Sequence, residues 1–136
     1  MPLTIKEALA VIESAHRHAA QKGWRITVAV VDEGGLLKAL GRMDGATPLG
    51  AQIAEAKAVG AALWLRNGDS LTQVQKDRPA FFDAVSSLAR LPILPALGST
   101  LIQRDGSVLG AVGVSGASPE QDLECAEAGL RDLPPS

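Results

Sequence analysis

The chain has 136 residues, 46% of them apolar and 21% charged, with a net charge of −2. That length holds one domain with a real core and leaves no room for two. The charge balance argues against nucleic acid as a partner, since no basic concentration neutralises a run of phosphates, and the single Cys125 excludes an internal disulfide framework and a cysteine zinc site.

The first helical turn carries Lys6 and Glu7, unlike a signal peptide, and no apolar run reaches membrane-spanning length. The expected location is the cytoplasm. Aromatic residues make up only 3% and tyrosine is absent, so the core must be built from Ala, Leu, Val and Ile. Ala-rich helices approach closely, and such a chain often completes its burial by association with copies of itself.

"TIKE" opens the first helix, with Thr4 as cap and Glu7 answering it in a capping box. Ile5, Leu9, Ile12, His16 and Ala19 are expected on one face, and Gly23 ends the helix. "RITVAVV" is almost continuously apolar and reads as a strand buried on both faces. "DEGG" is a hairpin turn, and "LLKALGR" returns as the paired strand. After "MDGATP", Thr47 and Pro48 suit the cap and first position of a second helix running to about Leu65, with both sides covered. "RNGDS" stops it, and a shorter helical piece is expected around "PAFFDAVSSL".

"LPILPALG" is punctuated by proline and is expected to line an edge or a pocket wall. A second hairpin turns at Asp105-Gly106. Ser118, Pro119 and Gln121 then supply the cap, first position and capping partner of the last helix, which is expected to end near Leu133. The order helix, hairpin, helices, hairpin, helix predicts an α+β three-layer α/β/α sandwich around an antiparallel sheet.

Three blocks, "VAVVDEGGLLKALGRMDGA", "AEAKAVGAA" and "RDGSVLGAVGVSGASPEQDLECAEAGL", together resemble the GlcG/HbpS-like haem-binding (haem-degrading domain) family. They keep the family's order and cover most of the chain, and the last is the most specific. The resemblance implies a profilin-like fold with a five-stranded antiparallel sheet between helices. It also implies homo-oligomers from dimer to octamer. Function is less uniform than fold in this family. Some members bind haem or cobalamin-pathway partners, some are linked to iron sensing, and others are encoded beside catabolic enzymes. Two departures stand out. Many relatives place Gly-Gly-x-Pro before the second hairpin, where this chain has "LGSTLI", keeping Gly98 as a ligand-facing position but no proline. Some carry two Glu three apart before the helix lysine as an iron site. Here Gln52 and Glu55 stand there, so half of that site is missing.

Several side chains are candidates for chemistry. His16, on the stripe of the first helix, suits an axial haem ligand and hence the iron, because haem needs an apolar slot and one nitrogen donor. The alternative is a core-edge histidine bonded to a carbonyl. His18 is expected to be solvated. Lys57 falls on the apolar stripe of the second helix and matches the family's helix lysine. It would clamp a carboxylate (a haem propionate or an organic acid), act as a base, or form a salt bridge with Asp44 or Asp32. Arg42 would hold a carboxylate in bidentate fashion, and Asp44 would turn the chain or touch ligand.

"GVSGASPEQD" lacks the lysine of a phosphate-binding loop. Gly116 permits close backbone approach, Ser115 adds a hydroxyl, and the helix start at Gln121 offers N–H groups to a carboxylate; tight strand–helix packing is the alternative. Two functions follow. One is an oligomeric protein binding haem or a related tetrapyrrole in an apolar slot with carboxylate clamps. The other is a catabolic-pathway enzyme (tautomerase, hydratase or hydrolase) acting on a small organic acid, with Lys57 catalytic beside Arg42 and Ser115. A purely structural subunit would do neither.

Overall fold

Helix α1 (Ile5–Lys22) starts as expected: Thr4 Oγ1 accepts from the Glu7 N–H at 3.0 Å, and Glu7 Oε1 accepts from the Thr4 N–H at 3.0 Å. These bonds satisfy N–H groups that the first helical turn leaves unpaired. Its buried side is Ala8, Val11, Ile12, Ala15 and Ala19, while Ile5 and Leu9 are about half exposed, contrary to the expected stripe. The reason is the small-residue packing of α1 on the last helix, where a Cβ on Gly129 would meet Val11 O at 2.9 Å. The structure, a computed structural model, describes residues 2–133.

Strands β1 (Thr27–Asp32) and β2 (Leu37–Arg42) form the first hairpin, with Asp32 Oδ1 accepting from the Gly34 and Leu36 N–H groups. Strand β1 is buried on both faces from Thr27 to Val31. Helix α2 (Gly50–Trp64) begins later than Thr47-Pro48 suggests and has no side-chain cap. The entering turn satisfies its N–H groups instead, through Thr47 O to Gly50 and Pro48 O to Ala51. The segment read as a stop also starts a helix that sequence reading missed, α3 (Gly68–Asp77), followed by α4 (Pro79–Ser86). Strands β3 (Ser99–Arg104) and β4 (Ser107–Ser115) turn at Asp105 and Gly106, both with positive φ, as a two-residue hairpin loop requires. Helix α5 (Pro119–Leu130) carries the expected Ser118–Gln121 capping box and ends before Leu133.

The strands join in the order β2-β1-β4-β3, all antiparallel. Among the described residues the sheet therefore has four strands, which corrects the expectation of five. Pro92 and Pro95 lack ladder donors, and their segment lies on α2 instead: Leu94 N–H donates to Ala56 O, and Leu91 and Ile93 pack beside Val59. The outer edge of β3 is partly covered by Asn67, whose Oδ1 accepts from Leu101 N–H at 2.8 Å. One sheet face (Val28, Val30, Val112, Val114) meets α1 and α5, and the other (Val31, Ala111) meets α2. The three layers expected from the element order are present.

Contact between α2 and the sheet is set by Gly113, opposite Ala29 in the ladder. A Cβ there would lie 2.2 Å from Ala54 O and 2.7 Å from Ala58 N, so helix and strand touch backbone to backbone. Lys57 lies in this seam, 6% exposed. Its Nζ donates to Val114 O at 2.9 Å and to Asp122 Oδ2 at 3.2 Å, and Asp122 is itself 3% exposed. The salt-bridge alternative for Lys57 is thus the arrangement observed, with Asp122 of α5 as partner in place of Asp44 or Asp32. Burial raises the Asp122 pKa, and the Lys57 charge and the Ala117 N–H work against that rise.

Two outcomes follow. Gly113→Ala should destabilise the protein by about 2–3 kcal/mol or more in chemical denaturation, because the obstructing atoms are backbone and cannot rotate away. Lys57→Met should cost about 3–5 kcal/mol at pH 7 by leaving Asp122 buried without its counter-charge. Removing Lys57 lifts the folded-state pKa of Asp122 further above its unfolded value, so the native state holds the extra proton between the two. Stability of this variant should therefore rise as pH falls from 7 toward 4, and denaturation midpoints at both pH values check the sign.

Candidate functional site

The sequence candidates divide between two places. His16, Arg42 and Asp44 line one open cleft of about 740 Å³, together with Glu13, Arg17, Ala20, Trp24, Arg25 and Met43. The cleft forms because α1 crosses the end of the β1–β2 hairpin, with Gly23 (φ +77) reversing the chain into β1. Trp24, Ala20 and Met43 supply apolar wall, and Arg17, Arg25 and Arg42 supply three guanidinium groups against the carboxylates of Glu13 and Asp44.

Two of the arginines are held by main chain. Arg25 Nη1 donates to Asp44 O and Arg42 Nη1 to Ala46 O, each at 2.9 Å, so the Met43–Ala46 turn is strapped from both sides. The guanidinium fork has five donors, and one bond each leaves the fork able to take a carboxylate. His16 is half-buried and its Nε2 sits 2.9 Å from Gly41 O, so the carbonyl-bonded reading describes its present partner. His18 is not solvated as expected: its Nε2 lies 2.6 Å from Glu124 Oε2 and its ring stands edge-on to Trp24. That pair ties α1 to α5 and lowers the Glu124 pKa.

Lys57, Gly98, Ser115, Gly116 and Gln121 gather instead around the β4–α5 turn. Gly98 (φ +103) lies against the buried ion pair, where a Cβ would stand 3.1 Å from Lys57 Nζ. Ser115 is buried and its hydroxyl donates to Gly50 O at 2.6 Å. Gly116 has φ +120, a conformation reserved for glycine, with a Cβ position 2.4 Å from Arg25 O. Gln121 Oε1 accepts from Ser118 N–H in the capping box. The Ala117 N–H points to Asp122 Oδ1 at 2.9 Å. A carboxylate does occupy this turn, and it is the chain's own.

Lys57 and Ser115 are not among the residues lining the cleft that holds Arg42, so the acid–base pocket expected of an enzyme is not assembled. Cys125 offers no nucleophile, since burial, helped by Asp122 and Glu124, pushes its thiol up to about 11. Among the described residues no group of three or more His, Cys, Asp and Glu is placed to hold a metal ion, and no helix is long and apolar enough to cross a membrane. Sequence reading missed Trp24, Arg25 and Arg17, whose convergence depends on how α1 lies over the hairpin. It also missed Asp122, which a signal did mark: Asp122, Cys125, Ala126 and Gly129 share one buried stripe of α5, and an acid on such a stripe needs a cation.

Comparison with known proteins agrees with this architecture. The chain is 38% identical to the protein GlcG of Escherichia coli over 115 residues, covering 83% of this chain and 81% of GlcG. A double mutant of HbpS from Streptomyces reticuli superposes with a TM-score of 0.88 at 29% identity, covering 98% of this chain and 88% of that one. The complex of PduOC with haem has the same fold, with a TM-score of 0.86 at 24% identity over 98% of this chain and 96% of that one. The model of the haem-degrading, HbpS-like proteins matches residues 3–131. With that match spanning nearly the whole chain, and the fold shared throughout, the protein belongs to the HbpS-like family.

Proposed function

We propose that the protein binds haem, or a related tetrapyrrole, in the cleft between α1 and the β1–β2 hairpin. The observation that carries this reading is the convergence in one cleft of an imidazole, a Trp–Met wall and three guanidinium groups. Haem asks for those three things: a nitrogen donor for iron, apolar surface for the macrocycle, and cations for two propionates. A cleft of about 740 Å³ lies within the usual range for cofactor sites. Family membership supports the reading, as does the haem complex of PduOC.

In this reading His16 would ligate the iron, Trp24, Ala20 and Met43 would form the apolar wall, and Arg17, Arg25 and Arg42 would take the carboxylates. When bound, the group would supply an iron centre for ligand or redox chemistry. The chain's own residues hold and orient it: the strapped turn fixes Arg25 and Arg42 before the ligand arrives, which lowers the entropy lost on binding. Asp44, whose carbonyl fixes Arg25, serves the same positioning. The residues of the β4–α5 turn act at a distance in this scheme, by holding β4 and α5 in register with the backbone at Arg25. Lys57, Gly98, Ser115, Gly116 and Gln121 have that supporting role.

Association into homo-oligomers, from dimer to octamer, belongs to the same proposal. Ile5, Leu9, Leu36, Leu37, Leu49 and Leu65 are all exposed on the single chain. Covering them is the simplest use of so much apolar surface.

Titration with hemin should give a protein-bound Soret band, and His16→Ala should abolish or shift it; an identical spectrum from that variant would remove His16 as ligand. Arg42→Gln keeps a donor for Ala46 O and removes the charge, so hemin affinity should fall roughly tenfold or more, the worth of one charge-assisted hydrogen bond. Sedimentation equilibrium at micromolar concentration should give a multiple of the 14.1 kDa chain mass, and a monomer alone would overturn the oligomer.

A further inference from the structure

We propose that a second cleft, where the end of α2 meets α3 and α4, binds a small aromatic carboxylate between Trp64, Phe81, Arg66 and Arg78. It shares no lining residue with the cleft under α1 and does not rest on the haem reading. Its volume of about 370 Å³ is half that of the other, at the small end of ligand sites. The chain has two Trp and two Phe residues, and three of these four, Trp64, Phe81 and Phe82, meet here. Phe82 does the packing: it is buried and stacks on the Trp64 indole at 5.2 Å, nearly parallel at 14°. The indole Nε1–H donates to Ser86 Oγ at 3.1 Å, which fixes the ring in its plane. Phe81 stands edge-on to the indole at 6.3 Å and stays 43% exposed, so core packing does not account for it. A fixed indole and an exposed phenyl ring thus wall the cleft.

Charge is the second, independent observation. Arg66 follows the end of α2, and Arg78 joins α3 to α4. Among the described residues neither has an ion-pair partner. Arg66 Nη1 donates to the neutral Ser70 hydroxyl at 2.9 Å. The guanidinium carbon of Arg78 lies over the Phe81 ring, 3.9 Å from its centroid, which places this cation beside the apolar wall. Asp77 is the one carboxylate lining the cleft, and Gln73 Nε2 already donates to its Oδ1 at 2.8 Å. Two guanidinium groups against one carboxylate leave a single positive charge, in a chain whose own net charge is −2. One charge calls for a monoanion. A carboxylate fits the guanidinium fork and carries one charge, whereas a phosphate monoester carries about −1.5 to −2. A ring for the wall and one carboxylate for the arginines together describe an aromatic acid.

Benzoate is the probe. Calorimetric titration of the unmodified protein should show one site per chain with Kd about 1 mM, the ordinary yield for so few heavy atoms. Benzamide has the same shape without the charge and should bind roughly tenfold more weakly or worse. Benzoate should lose a similar factor on Arg78→Gln and on Arg66→Gln. Both arginines are exposed, so these variants should keep the fold, which circular dichroism checks. In Trp24→Phe the one remaining indole is Trp64, and its emission should change as benzoate saturates. Absence of saturable binding up to about 20 mM would overturn the proposal. Equal affinity for benzamide, or an emission that stays constant at saturation, would overturn it as well. Benzoate held by the arginines under α1 would be indifferent to both substitutions, and that result too would overturn it. Tighter binding of phenyl phosphate than of benzoate would overturn the assignment of a carboxylate. Hemin titration is a separate measurement, so failure of the haem reading would leave this site standing.

Discussion

A lysine ammonium withdrawn from water must find acceptors in the protein, and Lys57 finds two, one in the sheet and one in the opposite helical layer. Val114 O belongs to β4 and Asp122 to α5, so one cation on α2 pins three elements together across the sheet end. The β4–α5 turn follows from this. Asp122 must reach back toward Lys57 while its second oxygen takes the Ala117 N–H, which fixes the path of the chain from Ser115 to Ser118. Gly98 completes the enclosure, its missing Cβ leaving room for the ammonium. A buried ion pair often adds little net stability over apolar residues of the same volume; what this one does add is a set of directed bonds joining α2 to β4 and α5.

The cleft is built on a different logic. It sits at the rim, where α1 overhangs an edge hairpin, and its polar groups are positioned by main-chain carbonyls: Gly41 for His16, Asp44 for Arg25, Ala46 for Arg42. Carbonyl partners leave the charge of Arg25 and Arg42 in place, unlike the carboxylate that neutralises Lys57. The cleft therefore keeps cationic character for a ligand while its geometry is still constrained. Buried charge is spent inside the fold, whereas at the rim Arg25 and Arg42 keep theirs and Arg17 shares its own with Glu13 and Asp132.

Local order was readable in the sequence because short-range chemistry decides it. The capping boxes at Thr4–Glu7 and Ser118–Gln121, the buried strand β1 and the Asp105-Gly106 turn all depend on residues a few positions apart. Helix α3 escaped because Gly68 looks like a terminator, and it holds its place by packing: a Cβ there would strike Ala96 O. His16, Arg42 and Asp44 were named one by one, yet nothing local says that they share a cleft with Trp24 and Arg25. The lysine on the apolar stripe of α2 was legible as a residue needing a partner. Its partner, 65 positions away, was not identified, although Asp122 sits on an equally apolar stripe. The resemblance to relatives overstated the sheet by one strand, because the proline-punctuated segment from Leu91 packs on α2 instead.

Cys125 has a consequence for how motion in this protein can be followed. It is fully buried in the core that α1 and α5 cover, and burial pushes its thiol up to about 11, so very little of it is ionised at neutral pH. The thiolate is the form that attacks thiol reagents, so the native state is closed to them twice, by access and by protonation. Labelling then proceeds through openings of the core around Cys125. The lone cysteine becomes a clock for that opening, timing how often the core beneath α1 and α5 is exposed.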